Sequence, residues 1–369
     1  VSKNYRLKVE DGDLLGTLGG FFRRLLEEKV VSAIMVPREE PWGKSTVQSL
    51  VWEPEKLAGS NPLAPVLPIN SARLVAELTF RRPGEKIGVV LRPCEARTLN
   101  ELVKLQQATL DDLLVIGIDC YGTYGVKDFM EAVEQESGKA VTEAFLKGVT
   151  NGGDGVGPLR TACTMCEHTA AEWGDIRIKL FGADLEQEVI VEAAEEVGEA
   201  LGLEEGEPEG RSAKINAIVE KRTAERNRIF AEIREKTNTL PALLDTLSKC
   251  IRCYNCREVC PICYCKECTF KMPAFDYDPG QYLRWSQRKG LIKMPVDTLL
   301  FHMTRMNHMV SSCTGCGMCE EACPNDIPVA RMFRAVGSKV QEIFDYVPGR
   351  SLEEELPLAT FKEEELEPR

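Results

Sequence analysis

Apolar residues recur at helical spacing between Leu14 and Lys29, at Leu14, Leu15, Leu18, Phe21, Phe22, Leu25 and Leu26. That period predicts an amphipathic helix. A short apolar run, Val30 to Val36, follows and is closed by Pro37. Lys86 to Leu91 reads as a buried strand stopped by Pro93, and Ala96 to Gln107 as a helix. Leu113 to Cys120 is a second strand, ended by the turn-rich Tyr121 to Gly125. Strands alternating with helices predict an α/β layer with a parallel component. Further on, residues 126–160 predict helix and then a glycine-rich loop from Thr150 to Pro158. The alternation at 175–181 predicts a strand, and 187–200 predicts a helix. Gly202 to Gly210 is acidic and carries Gly and Pro, so it reads as a loop. A charged helix is predicted from Ala213 to Lys236, then another from Leu240 to Ser248.

The pattern changes after Lys249. Strand signals become few, and the longer periodic stretches, Val296–Val310 and Ile327–Tyr346, are helical. The expected organisation is therefore an α/β (α+β) domain at 1–182 and a helical, acidic connecting segment at 183–239. An all-α domain at 240–350 and an acidic, extended tail at 351–369 complete it. The formal charge is −12, from 46 basic and 58 acidic residues. That balance argues against a nucleic-acid partner, which calls for a basic surplus. The start lacks an apolar signal-like region, and no run of about 18 apolar residues offers a membrane span. The expectation is a cytoplasmic protein that does not span a membrane.

The 15 cysteines, set against three histidines, change the picture most. Two segments repeat one pattern, C-x2-C-x2-C-x3-C-P. They are Cys250, Cys253, Cys256 and Cys260 before Pro261, and Cys313, Cys316, Cys319 and Cys323 before Pro324. In this spacing three thiolates on a compact loop meet three corners of one cubane, while the fourth cysteine reaches the other cluster. One [4Fe–4S] cluster is assigned to Cys250, Cys253, Cys256 and Cys323. The other is assigned to Cys313, Cys316, Cys319 and Cys260. Structural zinc also takes four thiolates but uses two pairs, which leaves the repeated triplet unexplained. The long spacer from Thr269 to Ser312 points to an all-helical two-cluster domain rather than a small strand-built ferredoxin.

Cys163 and Cys166 form a further pair, and Cys263, Cys265 and Cys268 follow the first motif directly. A third [4Fe–4S] cluster is expected on Cys163, Cys166 and two of the trio, with Cys265 and Cys268 preferred. Zinc or redundant thiols is the alternative for this group. Cys94 and Cys120 remain, each at the end of a predicted strand, where ligands of α/β sheets tend to bind. The competing reading for both is a small buried hydrophobe. His302 and His308 lie on a methionine-rich helix and read as packed helix residues.

Residues 10–182 resemble the beta-subunit family of coenzyme F420-dependent hydrogenases and dehydrogenases. The resemblance rests on Leu18-Gly19-Gly20-Phe21-Phe22-Arg23-Arg24-Leu25-Leu26, on Val90-Leu91-Arg92-Pro93-Cys94-Glu95 and on Ile116-Gly117-Ile118-Asp119-Cys120-Tyr121-Gly122. It rests also on Cys163-Thr-Met-Cys166 followed by Trp173-Gly174-Asp175-Ile176. Residues 240–350 are similar to the two-cluster helical domain of heterodisulfide-reductase-like iron–sulfur subunits. The resemblance implies FAD in the first domain and a hydride exchanged with the deazaflavin coenzyme. It also implies partner redox subunits of formate dehydrogenase, hydrogenase or heterodisulfide-reductase type. Gly19 and Gly20, with Arg23, Arg92 and Cys94, stand where that flavin site is implied. The chain departs from the family pattern at Phe22, Arg23, Arg92 and Glu95.

The expected function is thus that of an oxidoreductase subunit passing electrons between a hydride or electron donor and a partner enzyme. The alternative is a flavin-less iron–sulfur adaptor that wires two redox subunits. No nucleophile–base or histidine-metal pattern assigns a catalytic residue.

Overall fold

The computed structural model describes residues 2–43, 45–81, 84–150, 157–275, 278–290 and 297–359. Most of the glycine-rich loop predicted after Thr150, and the end of the acidic tail, lie outside the described residues. The chain forms two compact units. The first is Val1–Asn227 with Thr314–Cys316 and Gly349–Glu353, and the second holds the remainder.

The first unit is built on an eight-stranded mixed sheet. Its strands are β1 (Ser2–Lys8), β2 (Ala33–Glu39), β3 (Thr46–Val51), β4 (Ile87–Leu91), β5 (Leu113–Ile118), β6 (Ile176–Lys179), β7 (Glu188–Ala194) and β8 (Glu204–Glu205). Their order is β3-β2-β4-β5-β6-β7-β1-β8. Neighbours from β2 to β6 run parallel, and the remaining pairs are antiparallel. Every residue of β4 and β5 is buried, as expected of central parallel strands covered on both faces. The helix Leu14–Glu27 buries all seven apolar residues of its predicted face. Asp13 caps it, its carboxylate accepting the Gly16 N–H at 2.9 Å.

The predicted α/β character is borne out, with one correction at residues 187–200. Glu188–Ala194 is a strand, and only Glu195–Ala200 is helical. The β-branched run Val189, Ile190 and Val191 is buried, and Val191 pairs with both Tyr5 and Ile178. Tertiary pairing overrides the helical propensity of the flanking acidic residues. A Cβ at Gly198 would come within 2.1 Å of the Tyr5 ring, so that ring seats on the glycine. Strands β7 and β8 carry residues 188–205 into the sheet, inside the stretch read from sequence as a connector.

Gly349 belongs with the first unit through the helix Pro93–Lys104. Its N–H donates to buried Glu101 at 2.7 Å, and its carbonyl accepts from Asn100 at 3.1 Å. Its φ is +74°, and a Cβ there would collide with the Arg97 carbonyl.

The second unit contains helices and turns and, among the described residues, no strand. Its longer helices include Leu240–Leu247, Pro279–Lys289, Thr298–Met309 and Val329–Ile343. Phe301 sits at its aromatic centre, edge-on to Tyr254 and to Phe270 at about 5 Å. No helix among the described residues is long and apolar enough to cross a membrane.

Candidate iron–sulfur sites

The two cysteine motifs wind alike. In each, the residues two and four places after the first cysteine have left-handed backbones. These are Arg252 (φ 55°) and Tyr254 (φ 61°) in the first, and Gly315 (φ 77°) and Gly317 (φ 76°) in the second. A four-residue helix then follows in both, Asn255–Glu258 and Met318–Glu321. The sequence repeat is therefore a backbone repeat that curls a loop around its cysteines. Non-glycine residues pay roughly 1–2 kcal/mol each for this conformation. Arg252 is held there by an ion pair to Asp297 at 2.7 Å and by a bond to the Phe275 carbonyl at 3.2 Å.

The surroundings of these thiols suit an iron–sulfur cluster. His302 Nε2 lies 3.4 Å from Cys250 Sγ, and the Ile327 N–H donates to Cys323 Sγ at 3.4 Å. Burial pushes the Cys256 and Cys263 thiols up to about 11 and raises Cys250. Without iron these are neutral thiols, and binding the metal must displace their protons. Arg305 is 4 % exposed, and its guanidinium nitrogens make no well-aligned hydrogen bond. The charged neighbours acting on it most strongly are the sulfurs of Cys260, Cys319, Cys256 and Cys263. A buried cation requires a compensating anion, and cluster-bound thiolates provide one. The donor set therefore fits iron–sulfur clusters.

The first unit gathers four thiols around one cavity. Cys94 lies in the first turn of the helix Pro93–Lys104 that follows β4, and Cys120 lies just beyond β5. These parallel neighbours bring their carboxyl ends together, and Cys163 and Cys166 face the same cavity. Thr123 Oγ1 lies 3.4 Å from Cys163 Sγ, and Cys166 Sγ donates to the His168 carbonyl at 3.4 Å. Arg160 donates through Nε to Cys163 Sγ at 3.4 Å and through Nη2 to the Cys316 carbonyl at 3.0 Å. Burial raises the Cys94 and Cys120 thiols. At Cys163 burial also pushes upward, but the Arg160 charge and the bonds from Thr123 and Arg160 outweigh it and hold the thiol below its ordinary value.

Cys163 and Cys166 thus share one cavity with Cys94 and Cys120. Sheet topology joins strand ends that lie far apart in the chain, and cysteine spacing carries no trace of this. The signal that could have found them is the position of both cysteines immediately after a predicted strand. Cys263, Cys265 and Cys268 lie in the second unit. There Cys265 is exposed, Cys268 packs beside the Phe270–Phe301 cluster, and Cys263 is near Cys260 and Arg305. Among the described residues, no three His, Cys, Asp or Glu side chains close on one point as around a single metal ion. A cubane instead spreads its four thiolates over separate corners.

The residues implied for a flavin are not brought together. Gly19 and Gly20 lie within the helix Leu14–Glu27 rather than at its start, so their amides belong to its internal ladder. Gly20 lines a cavity of about 810 Å³ beside β1, together with Arg6, Thr17 and Arg24, whereas Arg92 and Cys94 line the cysteine cavity. Arg23 is exposed. Arg92 is buried and donates to the carbonyls of Val66, Ala64 and Pro62, while Glu95 accepts the Ser71 and Arg92 N–H groups. The departures from the family pattern at Arg92 and Glu95 therefore hold the loop at 62–71.

A family described as a 4Fe-4S dicluster domain matches residues 246–327, which span both motifs. The F420-dependent formate dehydrogenase subunit beta of Methanocaldococcus jannaschii is 27 % identical over 367 residues, covering 90 % of this chain and 91 % of that protein. The F420-dependent formate dehydrogenase 1 subunit beta of Methanococcus maripaludis is 29 % identical over 394 residues, covering 95 % and 94 %. A chain from the F420-reducing [NiFe] hydrogenase complex of Methanosarcina barkeri aligns with a TM-score of 0.47 at 14 % identity, covering 65 % of this chain and 94 % of that one. The chain is thus similar along nearly its whole length to two beta subunits of F420-dependent formate dehydrogenases, and its residues 246–327 match a 4Fe-4S dicluster domain.

Proposed function

We propose that this chain is the iron–sulfur electron-transfer subunit of an oxidoreductase complex of formate dehydrogenase or hydrogenase type. Cys250, Cys253, Cys256 and Cys323 hold one cluster, and Cys313, Cys316, Cys319 and Cys260 hold a second. Cys94, Cys120, Cys163 and Cys166 hold a third. The observation that carries this reading is the repeated cysteine loop, whose backbone winding recurs with its spacing. When bound, such clusters accept and release single electrons. The chain's own part is to supply thiolates, exclude water and place N–H groups and cations beside the sulfurs. Arg160 holds the Cys163 thiol below its ordinary value, and His302 contacts Cys250.

The test is anaerobic purification with iron, sulfide and flavin quantification. About twelve irons and twelve sulfides per chain are expected from four per cubane. A preparation with zinc in place of iron would end the proposal.

A flavin-less adaptor is the second reading. The separation of Gly20 from Arg92 and Cys94 into different cavities favours it. Recovery of about one FAD per chain would overturn that version and leave the cluster assignment standing.

A further inference from the structure

The second unit buries three arginine side chains around its cysteine loops, and two of them have carboxylate partners. Arg252 pairs with Asp297 at 2.7 Å, and Arg257 pairs with Glu258 at 2.6 Å. Arg305 differs. Among the described residues no carboxylate pairs with it, and its guanidinium nitrogens make no well-aligned hydrogen bond, the Cys263 sulfur being the polar group they approach. Its guanidinium carbon stands 4.9 Å from the Phe333 ring centroid, which covers one side. Burial opposes its charge, and the sulfurs of Cys260, Cys319, Cys256 and Cys263 outweigh that penalty. Three of those sulfurs come from the two motifs, and the fourth, Cys263, lies just beyond the first. Cys256 is assigned to the first cluster, and Cys260 and Cys319 to the second.

We infer that Arg305 is a positioning residue shared by the two clusters, and that its buried charge, which no carboxylate neutralises, raises both reduction potentials. The inference rests on the cluster assignment proposed above. Reduction adds one negative charge to a cluster. A fixed cation within the same low-dielectric pocket stabilises the reduced form more than the oxidised one. An arginine neutralised by a neighbouring carboxylate supplies little of this field, which is why Arg252 and Arg257 do not share the role. The charge is buried, so salt screens it weakly. It also lowers the repulsion between two clusters that are both negative, and so allows both to be reduced together.

The step involved is a one-electron reduction of each cluster by an external reductant such as dithionite, without bond cleavage or proton transfer at Arg305. The full-length holoprotein is purified anaerobically as wild type, Arg305→Met and Arg305→Lys. Each is titrated potentiometrically with the clusters followed by electron paramagnetic resonance. In Arg305→Met the reduction equilibria of both clusters should fall at least tenfold, which is 59 mV for a one-electron couple. Arg305→Lys should stay near wild type, and the difference should persist at high salt.

Unchanged potentials in Arg305→Met would overturn the inference, as would a shift confined to one cluster. A shift of equal size in Arg305→Lys would also overturn it, because charge would then not be the cause. Should Arg305→Met fail to load iron, Arg305→Gln is titrated in its place. Loss of iron from the lysine variant as well would reduce the guanidinium to a structural element and overturn the inference. Fewer than about eight irons in the wild-type protein is a failure of the cluster assignment instead, and is read before any variant is made.

Discussion

Arg160 donates through Nε to the sulfur of Cys163 at 3.4 Å. The same guanidinium holds the Cys316 carbonyl at 3.0 Å, so one side chain ties the Cys163 sulfur to a cysteine-bearing loop of the first unit. Replacing Arg160 with Gln removes the cation that keeps Cys163 below its ordinary value, leaving burial to raise it. The variant should lose most of the first-unit cluster and keep the other two. Iron should fall from about twelve to about eight per chain. Arg160→Lys, which keeps the charge, should retain more iron than the glutamine variant.

His302 offers a more selective perturbation. It is 2 % exposed, and burial lowers its pKa to about 4, so it is neutral at pH 7. Its Nε2 faces Cys250 at 3.4 Å. Hydrogen bonds to cluster sulfurs raise the reduction potential. His302→Leu should therefore lower the potential of the cluster that holds Cys250 and leave the other clusters in place, as read by potentiometric titration. Equal movement of every cluster would place the effect in the fold rather than in this contact.

Asp119 is the main polar anchor beneath the cysteine cavity. Its carboxylate accepts the N–H groups of Ala171, Leu180 and Phe181 at 2.8, 2.8 and 3.1 Å and pairs with Arg211. Asp119 is 2 % exposed. Asp119→Ala strands three amides and a cation, and a buried pair broken from one side costs about 3–5 kcal/mol. Denaturant unfolding should report a loss of that order, with Arg211→Ala costing less because the amides stay paired.

The contact between Asp13 and Lys139 carries a pH signature. The Lys139 ammonium, at 2.8 Å, and the Gly16 N–H hold the Asp13 carboxyl below its ordinary value. The same contact raises Lys139. A depressed carboxyl stabilises the fold above its unfolded pKa and loses that contribution as pH falls through the folded pKa. A raised lysine contributes below its unfolded pKa and loses the contribution as pH rises through the folded one. The pair should therefore stabilise across neutral pH and fade at both extremes. Both partners are nearly half exposed, so the pair adds a few tenths of a kcal/mol and the helix cap about 1 kcal/mol. Asp13→Asn should lose only the pH-dependent part, and Asp13→Ala both parts, measured by unfolding at pH 3, 7 and 11.

Much of this organisation was legible along the chain. The helix Leu14–Glu27 and the strands Ile87–Leu91 and Leu113–Ile118 follow their apolar periods, and the two cysteine loops follow their spacing. Local pattern is silent where pairing decides. Ser2–Lys8 and Glu188–Ala194 become strands because they pair with each other across about 190 residues of chain. The first-unit cysteine set shows the same limit. Cys163 and Cys166 announce themselves by spacing, while Cys94 and Cys120 join them through the parallel pairing of β4 with β5. Arg92 illustrates the converse. A cation in a flavin-like motif is engaged by three carbonyl oxygens, which no sequence pattern predicts.

The proposed function rests on three [4Fe–4S] clusters, the third on Cys94, Cys120, Cys163 and Cys166. Iron and acid-labile sulfide counts on anaerobically purified wild type, Cys94→Ser/Cys120→Ser and Cys265→Ser/Cys268→Ser test it most directly. About twelve of each per chain are expected in the wild type, about eight in the first variant and about twelve in the second. About twelve in the first variant with about eight in the second would contradict it and return the third cluster to Cys265 and Cys268.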